Sequence, residues 1–164
     1  MKVLRRSVLA SAPALLAACG FQLRKAPEFA FKTLALPATT PIAQELRRSI
    51  GSAGTVDVLA PAVAPTSAQV ILDILAEQRE KVVVGLNASG QVREFQLRSR
   101  VRFRLRTPQG RELIPETELQ QTRDVSFNEA AVLAKEAEEG LLYRDMQTDL
   151  VQQLMRRLAA VKSI

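Results

Sequence analysis

Residues 95–106, FQLRSRVRFRLR, constrain the fold more than any other stretch of this chain. Arginine occupies every second position: Arg98, Arg100, Arg102, Arg104 and Arg106. Phe95, Leu97, Val101, Phe103 and Leu105 fill most of the alternate places. Only an extended strand sends successive side chains to opposite faces; a helix would scatter both sets around its circumference. The stretch therefore predicts a β-strand with one apolar and one cationic face, the arginines about 6.6 Å apart. Like charges at that spacing repel, so neighbouring strands should supply acids.

Turn signals on both sides indicate which strands those are. LNASGQ (86–91) and TPQGR (107–111) combine Asn, Pro and Gly between alternating runs, as hairpin turns do. Pairing Leu86 with Gln91 sets Val82 opposite Phe95, Ile74 opposite Phe103 and Leu72 opposite Leu105. Apolar then meets apolar, which is what fixes a register. The same register puts Glu77 opposite Arg100 and Asp73 opposite Arg104. Around the second turn, pairing Arg106 with Glu112 sets Arg102 against Glu116 and Arg100 against Glu118. Val70, Leu72 and Ile74 share a parity with Val82, Val84 and Leu86, so 69–86 is expected to carry one apolar face. Residues 112–127 form the third strand, and Pro115 suits an edge or a bulge there.

The flanks add helices and short strands. FKTLALP (31–37) and TVDVLAP (55–61) read as short strands. Between them Thr40 suits an N-cap and Pro41 a first helical turn. Ile42, Leu46, Ile50 and Ala53 make an apolar stripe, with Gly51 or Gly54 as the stop. From about 129 to 161 a helix is expected, with Asn128 as cap. Tyr143, Met146, Leu150, Leu154, Leu158 and Val161 recur at three and four residues. Before Gly140 the pattern is weak and permits a separate turn or a bend. The order β–α–β–β–β–β–α predicts an α+β two-layer sandwich: a mostly antiparallel sheet of about four strands or more, with two helices packed on one face. The opposite face carries the arginines.

The N-terminus bears on what that face is for. MKVLRR is basic, SVLASAPALL is apolar but too short to span a bilayer, and LAAC ends in a cysteine after small residues. This resembles a lipoprotein signal cut before Cys19, with RRSVL faintly similar to a twin-arginine signal. The expected organisation is a signal peptide over 1–18, a lipidated tether over 19–30 and one α+β domain over 31–164. Cys19 would carry S-diacylglycerol and an N-acyl chain and form the outer-membrane lipid anchor. Gly20, in place of an Asp, favours the outer membrane. Cys19 is the sole cysteine, so no disulfide can form within the chain. Losing Lys2, Arg5 and Arg6 from 23 basic residues leaves 20 against 17 acids, a net charge of +3.

Export removes most of the case for nucleic acid, and no aromatic rings interleave the arginines to stack on bases. Two readings of the row remain. It is a solvated, ion-paired sheet face, or it meets something polar, such as a barrel lumen or a phosphorylated lipid. Catalysis has little to work with. There is no histidine, the sole cysteine is claimed by lipid, and no GxSxG, SxxK or P-loop pattern occurs. Zinc loses both of its best ligands, so no metal or other cofactor is expected beyond the acyl groups at Cys19.

CGFQLR (19–24), NASGQVREFQLRSRVRFRL, VLAKEAEE and LVQQLMRRL together resemble the LPS-assembly lipoprotein family LptE. The resemblance implies a sheet covered on one side by two helices. It also implies an outer-membrane lipoprotein that plugs the LPS translocon barrel LptD from inside the lumen, helps it assemble and binds LPS. The family's basic residue within LAK falls on Lys135. Its second, just before the turn, falls on Ala88, which is not basic. Arg93 and Arg123 are then candidates to act with Lys135, which otherwise reads as a solvated helix charge. Arg98, Arg100, Arg102, Arg104 and Arg106 become candidate barrel contacts. The rival is a lipoprotein adaptor of another outer-membrane machine, of barrel-insertion or secretin-pilot type.

Overall fold

The computed structural model describes residues 27–128 and 131–164. Cys19, Gly20, the expected signal segment 1–18 and most of the expected tether 19–30 lie outside the described residues. Strand β1 (Thr33–Ala35) leads to helix α1 (Pro41–Ala53) and strand β2 (Asp57–Leu59). A short 3-10 turn, Pro65–Ser67, precedes β3 (Val70–Leu86), β4 (Val92–Arg106) and β5 (Glu112–Ser126), and helix α2 (Val132–Ala159) closes the fold. The sheet order is β2-β1-β3-β4-β5. The three long strands are antiparallel, whereas β1 runs parallel to both β2 and β3. This is the expected α+β architecture, its sheet mostly antiparallel, with the short strands β1 and β2 making it mixed.

Local chemistry explains the elements. Thr40 caps α1, its Oγ1 accepting from the Ala43 amide at 3.4 Å, and Pro41 opens the first turn. Gly54 ends it in the left-handed region, at φ 67°, which glycine reaches without a Cβ clash. In β4 the alternation is complete: Leu97, Ser99, Val101, Phe103 and Leu105 are buried, and the arginines between them point away. Ile42, Leu46 and Ile50 of α1, with Leu150, Leu154 and Leu158 of α2, lie over Leu72, Val101, Phe103 and Leu105 in one core. Deleting a side chain the size of Phe103 from such a core costs ~3–5 kcal/mol.

Helix α2 runs unbroken through Gly140, so no separate turn or bend divides it. Its cap position is Ala131, not Asn128, whose backbone carbonyl instead accepts from the Ala131 amide at 3.0 Å in a preceding turn.

The register departs from expectation above Ile74. Leu72–Leu105, Asp73–Arg104 and Ile74–Phe103 pair as expected, but Leu75 is bulged out and Ala76 faces Arg102. Gln78, not Glu77, lies opposite Arg100, and Val83, not Val82, opposite Phe95. A β-bulge adds one residue to one strand, so every later side chain changes face. Glu77, Arg79 and Lys81 consequently turn toward the helices. Glu77 Oε2 accepts from the Ile42 amide at the start of α1, at 3.3 Å. Arg79 donates to Gln147 at 2.7 Å and stacks over Tyr143. A further irregularity at Val84 leaves Leu86 opposite Val92, not Gln91. Val83, Val84 and Leu86 are exposed instead of continuing the core. On the other side, Arg106 meets Glu112 as expected, but a shift beside Pro115 puts Glu118 opposite Arg102 and Gln120 opposite Arg100. The strand carrying Pro115 is indeed at the sheet edge.

Candidate functional site

The arginine face balances much of its own charge. Asp73 accepts from Arg104 Nε at 2.9 Å and Arg106 Nε at 2.7 Å. Arg100 pairs with Glu80. Arg102 reaches diagonally to Glu116 at 3.1 Å. Arg98 Nε donates to Gln96 at 2.8 Å. Burial alone would raise the Asp73 carboxyl. Hydrogen bonds and charge from Arg106 and Arg104 outweigh it and hold the group below its ordinary 3.8. The face is solvated and opposite both helices, and Arg102 and Arg104 remain more than a third exposed.

A different arrangement sits where the β3–β4 hairpin, the end of β5 and the start of α2 converge. The Leu75 bulge aims Lys81 at α2, where its Nζ lies 2.6 Å from Glu139 Oε2 and 4.4 Å over the Phe95 ring. Phe95 meets Phe127 edge-on at 5.4 Å. From the first turn of α2, Lys135 donates to Ser126 Oγ at 3.1 Å and Glu138 Oε2 at 2.8 Å. Both lysines line one small cavity of about 60 Å³ with Phe95, Val125, Phe127 and Val132. Exposed apolar side chains occur on the two elements that supply the lysines: Val83, Val84 and Leu86 on the hairpin, and Val132, Leu133 and Leu141 on α2. Leu133 is 82% exposed, far beyond what a core residue shows.

The expected partners of Lys135 are placed differently. Arg123 donates to Asp149 Oδ2 at 2.7 Å. Asp149 lies about 21 Å along α2 from Lys135 at 1.5 Å per residue, so the two cations are not brought together. Arg93 is at the same end as Lys135; its carbonyl accepts from the Phe127 amide at 2.7 Å and its side chain is exposed. Ala88 is exposed on the hairpin tip. Lys81 escaped the sequence reading because uninterrupted alternation assigns it to no apolar face and no turn. The only available signal was the run AEQREK, in which small Ala76 is the one apolar residue and none is large enough to hold a register.

Among the described residues no cluster of acids or cysteine is arranged to hold a metal. No described helix is long and apolar enough to cross a membrane.

The open sheet with both helices on one face, and its basic, apolar-fringed end, define an α+β two-layer domain built for binding, with no catalytic cluster among the described residues. Its likeness to solved structures supports that class. An uncharacterised lipoprotein B from Nitrosomonas europaea is 38% identical, with a TM-score of 0.73 over 86% of this chain and 91% of that one. The rare lipoprotein B from Shewanella oneidensis (20% identity, TM-score 0.64, 79% and 95% covered) shares the fold. So does a minor lipoprotein from Acinetobacter baumannii (24%, 0.61, 80% and 93%). No curated protein sequence matches the chain. The chain belongs to the LptE lipopolysaccharide-assembly family, which it matches over residues 31–158. Its role is therefore that of an LPS-assembly lipoprotein, in a non-enzymatic, outer-membrane-associated family.

Proposed function

We propose that this chain, anchored by acyl chains on Cys19, sits in the lumen of an LptD-type barrel, plugs it and aids its assembly. There it binds LPS through the Lys81–Lys135 end. The observation that carries this reading is the meeting of two ammonium groups and exposed aliphatic side chains at one end of a stiff sheet. LPS presents the matching chemistry, phosphates on an acylated core. Each lysine is held by one glutamate at a partly exposed position. A doubly charged phosphate can displace a singly charged carboxylate there, and it need not give up all its hydration to do so. Bound phosphates are then unavailable to the divalent cations that link LPS molecules laterally. Arg93, exposed at the same end, would extend the contact. The arginine face suits the polar wall of a barrel because its charges are already largely balanced, so apposition costs little. Arg98, Arg100, Arg102, Arg104 and Arg106 are the contact candidates on that face.

Two measurements test the reading. A tagged chain should co-purify with a large outer-membrane barrel protein in mild detergent; recovery of the chain alone would defeat the plug. LPS binding should weaken in Lys135→Asp and Lys81→Asp but not in Arg144→Asp, which changes an exposed charge elsewhere on α2. Equal losses in all three would reduce the effect to net charge.

A further inference from the structure

The opposite end of the domain holds a groove that the LPS-binding reading does not use. It has a volume of about 530 Å³ and lies between the start of β5 and the last turn of α2. Half-buried Leu113, Ile114 and Val161 supply its apolar surface, and Arg156 and Arg157 its charge. A smaller adjoining cavity of about 330 Å³, which shares Leu113 and Val161, adds Arg111 and Lys162. All four cations are exposed, and the described ion pairs of the chain involve none of them. Glu112 is the one acidic side chain lining either. Cations in the last turn of a helix do complement its dipole. That term amounts to about half a charge, and it accounts neither for Arg111 and Lys162 nor for the apolar surface between them.

The register places this groove at the end where the chain enters the sheet. The Lys32 amide donates to the Gln69 side chain, Ile71 pairs with Arg106, and Arg106 pairs with Glu112. Lys32 and the groove are thus level on the sheet. Seven residues lie between Cys19 and Pro27, eight chain steps with a maximum extended reach of about 28 Å. Given lipid on Cys19, the anchoring leaflet lies within reach of this end.

We infer that the groove binds an anionic phospholipid of the anchoring leaflet. The Arg156 and Arg157 guanidiniums take the phosphodiester, and Leu113, Ile114 and Val161 take the adjoining acyl carbons. The planar guanidinium fork matches phosphate oxygens, and the volume is that of an ordinary small-ligand site. The site is separate from the lysine pair and rests only on the lipid-anchor part of the proposed function.

The test uses the processed chain from residue 19 carrying Cys19→Ser, so that no covalent lipid competes. Dihexanoyl phosphatidylglycerol and dihexanoyl phosphatidylcholine are titrated below micelle formation, with amide NMR shifts as readout. The glycerol lipid should bind at least tenfold more tightly, moving the amides of Leu113, Ile114 and Val161. Arg156→Glu with Arg157→Glu should weaken it at least tenfold, and so should Leu113→Asp. Lys135→Asp and the charge-matched pair Arg48→Glu with Arg144→Glu should stay within twofold. The proposal is overturned if phosphatidylcholine binds equally, or if the charge-matched pair loses as much. It is also overturned if glycerol 3-phosphate binds as tightly as the lipid, since the apolar surface then plays no part. Shifts centred on Lys81 and Lys135, or displacement of the lipid by a short polyglutamate peptide at lower concentration, would likewise sink it.

Discussion

Lys81 and Lys135, one from the middle strand of the sheet and one from the first turn of α2, line a single cavity beside Phe95 and Phe127. Each holds a different glutamate, Glu139 and Glu138 respectively. If both engage one phosphorylated ligand, Lys81→Asp and Lys135→Asp should each weaken LPS binding roughly five- to tenfold, about 1–1.4 kcal/mol. The double variant should lose less than the product of the two, because neighbouring sites are not additive. Binding isotherms for the four proteins of the cycle decide this; strictly multiplicative losses would place the lysines on separate ligands.

The carboxylate shared by Arg104 and Arg106 sets an acid dependence. Asp73 titrates below its ordinary value in the folded chain, so its contribution is complete above about pH 4 and is lost as pH falls through the folded value. Asp73→Asn should cost about 1–2 kcal/mol at pH 7. That deficit should begin to shrink below about pH 4, as the unfolded chain's carboxylate takes up its proton, and vanish once pH has fallen through the lower value of the folded chain. Urea unfolding at a series of pH values measures it.

Leu75 acts through its presence in the chain more than through its side chain, which is 38% exposed. Leu75→Ala should cost no more than about 1 kcal/mol. Deleting the residue should cost several times that. Glu77, Arg79 and Lys81 would turn to the arginine face and lose Ile42, Tyr143 and Glu139. Thermal unfolding of the two variants should separate them clearly; similar midpoints would show that the strand absorbs the deletion by moving its bulge.

The lower half of the sandwich should carry most of the stability. Leu154→Ala, fully buried between the layers, should cost about 2–5 kcal/mol. Leu133→Ala, almost fully exposed, should change stability by less than about 0.5 kcal/mol. It should still reduce LPS binding if the apolar fringe contributes. Paired denaturation and binding curves test both halves of the statement.

Sequence periodicity reached the sandwich, both helices and the pairs Leu72–Leu105, Asp73–Arg104 and Arg106–Glu112, because tight turns and apolar partners hold those registers. It failed above Leu75, where A-E-Q-R-E-K offers no large apolar residue whose misplacement would betray a bulge. The parallel pairing of β1 was equally out of reach, since three residues of alternation do not name a partner. Candidate site residues fared unequally. Lys135 was singled out by its place in LAK and not by periodicity, since the helical pattern before Gly140 is weak. Its companion Lys81 depends on which way a strand residue faces after an irregularity, and that is decided by tertiary contacts with Glu139 and Phe95.

Strand β5 is the last strand of the sheet and is fifteen residues long. Beyond Pro115, which removes one donor near its start, its outer rim presents successive amides and carbonyls with no strand beside them. Such a rim pairs readily with another copy of itself. Synthesis of this chain in excess over whatever shields that rim would therefore favour self-assembly. The free rim of β5, far longer than that of the three-residue edge strand β2, is where such pairing would begin.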